Sequence, residues 1–322
     1  MSYLVEVKDL SLHYKTSLGM VRAADDVEFT LKRKQSIGIA GESGSGKTTV
    51  ASAIMNILPA NARIIKGDIL FDGENLLAMD PDDFRTEICW KRIAMVFQGA
   101  MNALNPIIKV GDQIAETITI HENTSEEEAW ERAGRLFEMV GLPPERIYNY
   151  PFEFSGGMRQ RAIIAMALAC SPDLIIADEP TTALDVTIQA QIMNLLTDLQ
   201  KTLNLSIILI THDMSVIAET CEEAVIMYAG KIAEKAPVEH IFTEPMHPYS
   251  EGLINAIPSL AKAKTKMLSS IPGSPPNLLY PPSGCRFHPR CEYAKDICKR
   301  EDPPLLPYKG GKVMCSCHFA ER

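Results

Sequence analysis

The stretch Gly41-Glu-Ser-Gly-Ser-Gly46-Lys47-Thr48 follows the spacing G-x-x-x-x-G-K-[ST], with an apolar strand-like run before it and a helix-like run after it. Glycines at these intervals let successive backbone N–H groups turn inward around phosphate oxygens, and the following helix adds the partial positive charge of its N-terminus. Lys47 can reach β- and γ-phosphates, and the Thr48 hydroxyl can ligate Mg²⁺. The candidate nucleotide contacts are Gly41, Ser43, Gly44, Ser45, Gly46, Lys47, Thr48 and Thr49.

Two more groups of residues bear on the same chemistry. The apolar run LIIADE ends at Asp178, where a carboxylate can hold Mg²⁺ or its water, and Glu179 follows. A carboxylate in that second position can orient and polarise a water for in-line attack on a γ-phosphate. In Phe154-Ser155-Gly156-Gly157-Met158-Arg159-Gln160, Ser155 and the N–H groups of Gly156 and Gly157 at a helix start form another anion cradle. A second cradle in a chain that already has one points to nucleotide shared between two subunits.

These residues need a scaffold, and the chain has the material for one. Its 322 residues, 46% of them apolar, are ample for a large domain with an appendage. The runs QSIGIAG, DLIIADEP and LSIILITHD read as strands buried on both faces, separated by helical stretches, as in an α/β fold with a parallel sheet. VEVKDLSLHY and DVEFTLK alternate as half-solvated antiparallel strands do, and residues 112 to 170 are mostly helical in pattern. Beyond Pro237 prolines crowd in, among them Pro245, Pro248, Pro258 and Pro272. That region reads as an extended arm with little apolar core of its own. A net charge of −9 argues against a general nucleic-acid binder. No apolar run approaches the ~20 residues of a bilayer span, and the N-terminus lacks a secretory pattern, so a cytosolic chain with reduced thiols is expected.

Five of the eight cysteines fall in the last 38 residues. Five residues separate Cys285 from Cys291, six separate Cys291 from Cys298, and eighteen separate Cys298 from Cys317. A reducing compartment disfavours disulfides, and the short C-x₂-C pairs of zinc ribbons are missing. Four thiolates could close a zinc tetrahedron or a [4Fe-4S] cluster, or the thiols could be metal-free. Cys89, Cys170 and Cys221 stand in core-like segments as small hydrophobes.

The string Phe154 to Gln160 resembles the signature of ABC transporter ATPases, with Met158 in place of the usual glutamine. That substitution alters a side chain and leaves the Ser-Gly-Gly cradle intact. The resemblance implies an ABC-type P-loop NTPase: a RecA-like parallel-sheet core, an N-terminal antiparallel β subdomain and a helical signature subdomain. Residues 1–236 would form this ATPase, with the helical part at about 100–170. Residues 237–322 would form a small Pro/Cys-rich extension whose metal-cluster region is 285–322. The resemblance also implies roles for single residues. Gln98 matches the Q-loop glutamine that senses Mg²⁺ and the γ-phosphate, His212 the switch histidine, Asp185 the D-loop aspartate, and Tyr14 the aromatic that stacks on adenine. Glu179 and His212 are the catalytic candidates, and Thr48, Gln98 and Asp178 the Mg²⁺ candidates.

FQGAMNALNPIIKVGDQIAE, HPYSEGLINAIP, IPGSPPNLL and CRFHPRC further resemble the oligopeptide and dipeptide permease ATP-binding subunits, a subfamily of importers. This resemblance implies ATP hydrolysis at the cytoplasmic face of the membrane by a peripheral subunit. Its partners would be a second, similar ATPase, two transmembrane subunits and, indirectly, an extracytoplasmic peptide-binding protein, with no nucleic acid. Peptide is the implied solute, nickel the alternative. A soluble ABC ATPase acting in translation or DNA repair is the competing class. The single P-loop, single signature and missing coiled-coil insertion count against it. Members of the subfamily carry a [4Fe-4S] cluster in this tail, which favours the cluster over zinc on Cys285, Cys291, Cys298 and Cys317. Cys317 is preferred to Cys315 because the family string ends in Cys-His followed by apolar residues, as Cys317-His318-Phe319-Ala320 does.

Overall fold

The structure is a computed structural model describing residues 3–99, 103–257 and 271–321, so Pro258 and residues 100–102 of the string after Gln98 lie outside the described residues. Among the described residues the strands are β1 (Tyr3–Thr16), β2 (Gly19–Lys32), β3 (Ser36–Ala40), β4 (Ala62–Phe71), β5 (Glu74–Asn75), β6 (Ile93–Val96), β7 (Leu174–Asp178), β8 (Ser206–Thr211), β9 (Glu223–Tyr228), β10 (Lys231–Pro237), β11 (Leu306–Tyr308) and β12 (Val313–Cys315). The chain folds as two compact units. One comprises Met1–Lys32, Ser36–Leu77 and Ile210–Arg322, the other Arg33–Gln35 and Ala78–Leu209. The extension beyond 236 thus belongs to the same unit as the glycine-rich loop.

In the first unit β2, β1, β4 and β5 form an antiparallel sheet in that order. The alternation read in β1 slips where Asp9 takes a left-handed φ of 47° and the register shifts between Val7 and Leu10, the mark of a bulge that bends a strand. Val7 and Leu10, which flank the slip, are both fully buried. A second group of strands runs β11-β12-β10-β9-β3. β3 and β9 are parallel, and the other pairs are antiparallel. β9 and β10 meet at the two-residue turn Ala229-Gly230, with φ of 49° and 85°. Positive φ at both positions is what a tight hairpin of the right twist requires.

The arm expected after Pro237 is more ordered than its composition implies. It forms the helices Val238–Thr243 and Pro248–Asn255 and contributes β11 and β12. Tyr249, Phe287, Val313, Cys315 and Ala320 are buried in one core with Ile217, Ile226, Tyr228 and Ile241. The expectation of an arm held without hydrophobic burial is corrected. The extension lacks a core of its own because it shares that of the first unit.

In the second unit the strand order is β8-β7-β6, with β6 and β7 parallel. Every residue of β6 and β7 is buried, as strands covered on both faces must be. Helices Val110–His121, Glu126–Met139 and Gly156–Ala167 supply the helical pattern expected there. The acidic start of the second is capped by Ser125, whose Oγ accepts from the Glu128 N–H at 3.2 Å. No helix among the described residues is long and apolar enough to cross a membrane.

Candidate nucleotide-binding and hydrolytic site

The glycine-rich loop joins β3 to the helix Lys47–Ile54. Gly41 has a φ of 151°, and a Cβ there would lie 2.1 Å from the Met227 carbonyl oxygen, so only glycine fits. The loop is closed by the Ser45 N–H donating to the Glu42 carbonyl at 3.1 Å, and tied to the β9–β10 turn by the Gly230 N–H on the Ser45 carbonyl at 2.9 Å. Lys47 is 6% exposed. Its Nζ donates to the carbonyls of Gly41 (2.8 Å) and Glu42 (3.1 Å) and lies 3.5 Å from Ser45 Oγ. The ammonium is thus folded over the loop it serves. Thr48, Ser43 and Gly44 face solvent, and Tyr14, half-buried on β1, donates from its hydroxyl to Thr49 Oγ1 at 3.2 Å. An aromatic is thereby fixed beside the first turn of that helix. His212 is exposed at the end of β8, just before Asp213, which caps the helix Met214–Thr220.

The second unit carries the acidic pair. Asp178 is buried at the last position of β7, and Glu179 follows with a φ of 46°. Left-handed backbone at a residue other than glycine is uncommon and clusters at functional sites. Gln98 Nε2 donates to Glu179 Oε2 at 3.0 Å, and the Thr182 hydroxyl donates to the same oxygen at 3.0 Å. Two donors on one oxygen thus fix the orientation of the carboxylate. Thr182 was not singled out from the sequence; its place three residues after Glu179 was the available signal. Ser155 caps the helix Gly156–Ala167, accepting from the Met158 N–H at 3.3 Å. A Cβ on Gly157 would stand 2.7 Å from Cγ2 of Ile188, so this glycine permits close packing on the helix Val186–Leu203. Asp185 caps that helix through a 2.9 Å bond from the Ile188 N–H.

The ABC transporter family matches residues 24–182, and the family described as "Oligopeptide/dipeptide transporter, C-terminal region" matches residues 233–298. The chain is 46% identical to an oligopeptide transport ATP-binding protein OppD of Salmonella typhimurium, over 96% of this chain and 92% of the relative. The corresponding OppD of Bacillus subtilis is 48% identical over 94% and 85%. A dipeptide transport ATP-binding protein DppD of Caldanaerobacter subterraneus is 43% identical over 100% and 98%. The chain belongs to the ATP-binding subunits of the oligopeptide/dipeptide ABC transporter family. Among solved structures, a dimeric ATP-binding cassette in a post-hydrolysis state with ADP and Pi is similar, with a TM-score of 0.65, 28% identity, and 73% of this chain and 98% of that one covered. These findings bear out the ABC ATPase fold and ATPase activity read from the signature.

The C-terminal region of this permease ATPase gathers its thiols. Cys285, Cys291, Cys298 and Cys317 line one cavity walled by Phe287, Tyr293 and Phe319, whereas Cys315 lies on β12 in the hydrophobic core. The Cys285 N–H donates to the Cys298 carbonyl at 2.9 Å, and the Phe319 N–H points to Cys317 Sγ at 3.4 Å. Burial pushes the Cys285 thiol up to about 12; a backbone bond at Phe287 opposes the shift, and Cys317, Cys298 and Cys291 add to it. Among the described residues, no group of three or more His, Cys, Asp or Glu is gathered so as to hold a metal ion. Of the remaining cysteines, Cys170 is buried and Cys89 and Cys221 are half-buried.

Proposed function

We propose that this chain binds MgATP on the Gly41–Thr49 loop and hydrolyses it with Glu179 as general base, driving uptake of dipeptides or oligopeptides through two transmembrane subunits. The observation that carries the reading is the Glu179 carboxylate held by Gln98 and Thr182 directly after a buried Asp178, in a chain whose relatives are named for peptide transport. Glu179 takes the proton of the attacking water as the new O–P bond forms and the bond to ADP breaks. Thr48, Asp178 and Gln98 would hold Mg²⁺, which would neutralise phosphate charge. His212 contacts the γ-phosphate, and Tyr14 stacks on adenine. Ser155, Gly156 and Gly157 close on the nucleotide of a second, homologous ATPase, with Asp185 at the same junction. The subunit therefore works peripherally at the cytoplasmic face, fed from outside by a peptide-binding protein. The test is ATP hydrolysis by the complete transporter in proteoliposomes. Stimulation of several-fold by dipeptides or oligopeptides with the binding protein supports the reading; stimulation by nickel ions alone would overturn the peptide assignment.

We further propose that the four thiols lining one cavity hold a [4Fe-4S] cluster in preference to zinc, a reading supported by the resemblance of the CRFHPRC tail to permease ATPases. A single zinc needs its sulfurs to converge at ~2.3 Å from one point. Four irons offer attachment points spread over a larger body, as thiols around a cavity can meet. When bound, the cluster supplies covalent cross-links between segments. Protein purified anaerobically is expected to contain about four irons and four sulfides per chain. Cys298→Ser should lose most of that iron and Cys315→Ser keep it; colourless, iron-free wild-type protein after reconstitution would remove the cluster.

A further inference from the structure

Both arginines of Cys285-Arg-Phe-His-Pro-Arg-Cys291 reach across to the walls of the glycine-rich loop. Arg286 donates to the Ala229 carbonyl and pairs with Asp25, whose own N–H donates to Gly230 at 2.8 Å. It therefore fastens the turn on which Ser45 rests. Arg290 goes further, to the loop itself. Its two terminal nitrogens bind the two oxygens of Glu42 at 2.6 and 3.0 Å, a parallel pair of charge-assisted bonds. The Arg290 side chain is 6% exposed and that of Glu42 28%. The fork is set by its surroundings: Nε donates to the Pro272 carbonyl at 2.7 Å, one terminal nitrogen lies 3.3 Å from the Tyr228 hydroxyl, and the guanidinium carbon stands 5.7 Å from the Tyr228 ring centre.

The backbone of Glu42 is held from the same side. Its N–H donates to the Tyr249 hydroxyl at 2.9 Å, and Tyr249 packs against Tyr228 and Phe287 with ring centres 4.6 and 5.4 Å apart. The carbonyl of Glu42 meanwhile accepts from Lys47 Nζ at 3.1 Å and from the Ser45 N–H. One residue thus has its side chain and N–H bound by the extension and its carbonyl bound inside the loop.

We propose that Arg290 is a positioning residue for the phosphate-binding loop: it neutralises and fixes the Glu42 carboxylate, so the extension sets how tightly the loop binds a polyphosphate. This rests on the loop being the nucleotide site, and adds a determinant of its affinity that lies 248 residues away. A mostly buried carboxylate beside bound phosphates repels them, and in a medium of low effective dielectric that repulsion is large unless a cation sits against it. A purely architectural role would predict something different. Removing Arg290 would then loosen the unit whether or not Glu42 carries its charge.

The experiment measures binding of a fluorescent ATP analogue with Mg²⁺, and KM and kcat for ATP, on the full chain. Arg290→Ala is expected to raise Kd and KM about tenfold while kcat at saturating ATP stays within about twofold. Adding Glu42→Gln to Arg290→Ala is expected to recover most of the lost affinity, because the uncompensated charge is gone. An unchanged Kd in Arg290→Ala, or a double variant as weak as the single one, would overturn the proposal. If Arg290→Ala fails to fold by circular dichroism, Arg290→Lys reads the same coupling. Loss of the bidentate fork should then weaken binding about threefold, and less in the Glu42→Gln background; equal losses in both backgrounds overturn it. Complete absence of nucleotide binding in the wild type would instead refute the nucleotide site.

Discussion

Glu179→Gln is expected to lower ATP turnover by about a thousandfold while leaving MgATP affinity within about twofold. The amide keeps the size of the carboxylate, and it can still accept from Gln98 Nε2 and the Thr182 hydroxyl, which now bind the carboxylate at 3.0 Å each. What the variant loses is the capacity to take a proton. Binding should be spared because the proposed phosphate contacts are those of the Gly41–Thr49 loop. Phosphate release at saturating ATP, paired with equilibrium binding, separates the two. With hydrolysis stalled, the ATP-loaded variant should also associate with a homologous ATPase subunit or with itself, observable by light scattering. Wild-type turnover would remove Glu179 from the role of base.

Lys47→Ala has the opposite signature: affinity should fall by about a hundredfold or more, since two charge-assisted bonds of ~1.5–3 kcal/mol each disappear. The structure sharpens the expectation beyond lost charge. Lys47 Nζ lies against the carbonyls of Gly41 and Glu42, so the same ammonium holds the loop in shape before any phosphate arrives. Lys47→Arg should not rescue binding, because a planar fork cannot replace a compact ammonium in a site only 6% exposed. Calorimetric titration with ATP would show it, and near-normal affinity in Lys47→Ala would remove the loop from the phosphate site.

The candidate site residues could be proposed from sequence because each sits on a short local pattern: a glycine spacing, an acidic pair ending an apolar run, a Ser-Gly-Gly before a helix. The strands β3, β7 and β8 were readable for the same reason, as they lie in the apolar runs QSIGIAG, DLIIADEP and LSIILITHD. The extension was misjudged because prolines break periodicity, and because a core shared with another part of the chain leaves no local count to find. Phe287 and Val313 look isolated in sequence and are buried against Tyr228 and Ile226. The bond between Arg290 and Glu42 has no sequence signal at all, and neither does the left-handed backbone of Glu179. In CRFHPRC the cysteines drew attention as metal ligands, while its arginines proved to be the residues reaching the loop.

The two short strands of the tail have a consequence outside nucleotide chemistry. β12 covers two positions of β10, Glu234 and Lys235, and β11 completes the row with Leu306-Pro307-Tyr308. A bare strand at that border would present open N–H and C=O groups to any passing chain, the template on which aggregates grow. The strand that finally faces outward is three residues long and carries a proline, which has no N–H to offer. The strands β11 and β12 therefore serve as a guard on the sheet, keeping copies of a sheet-rich subunit from zipping together edge to edge.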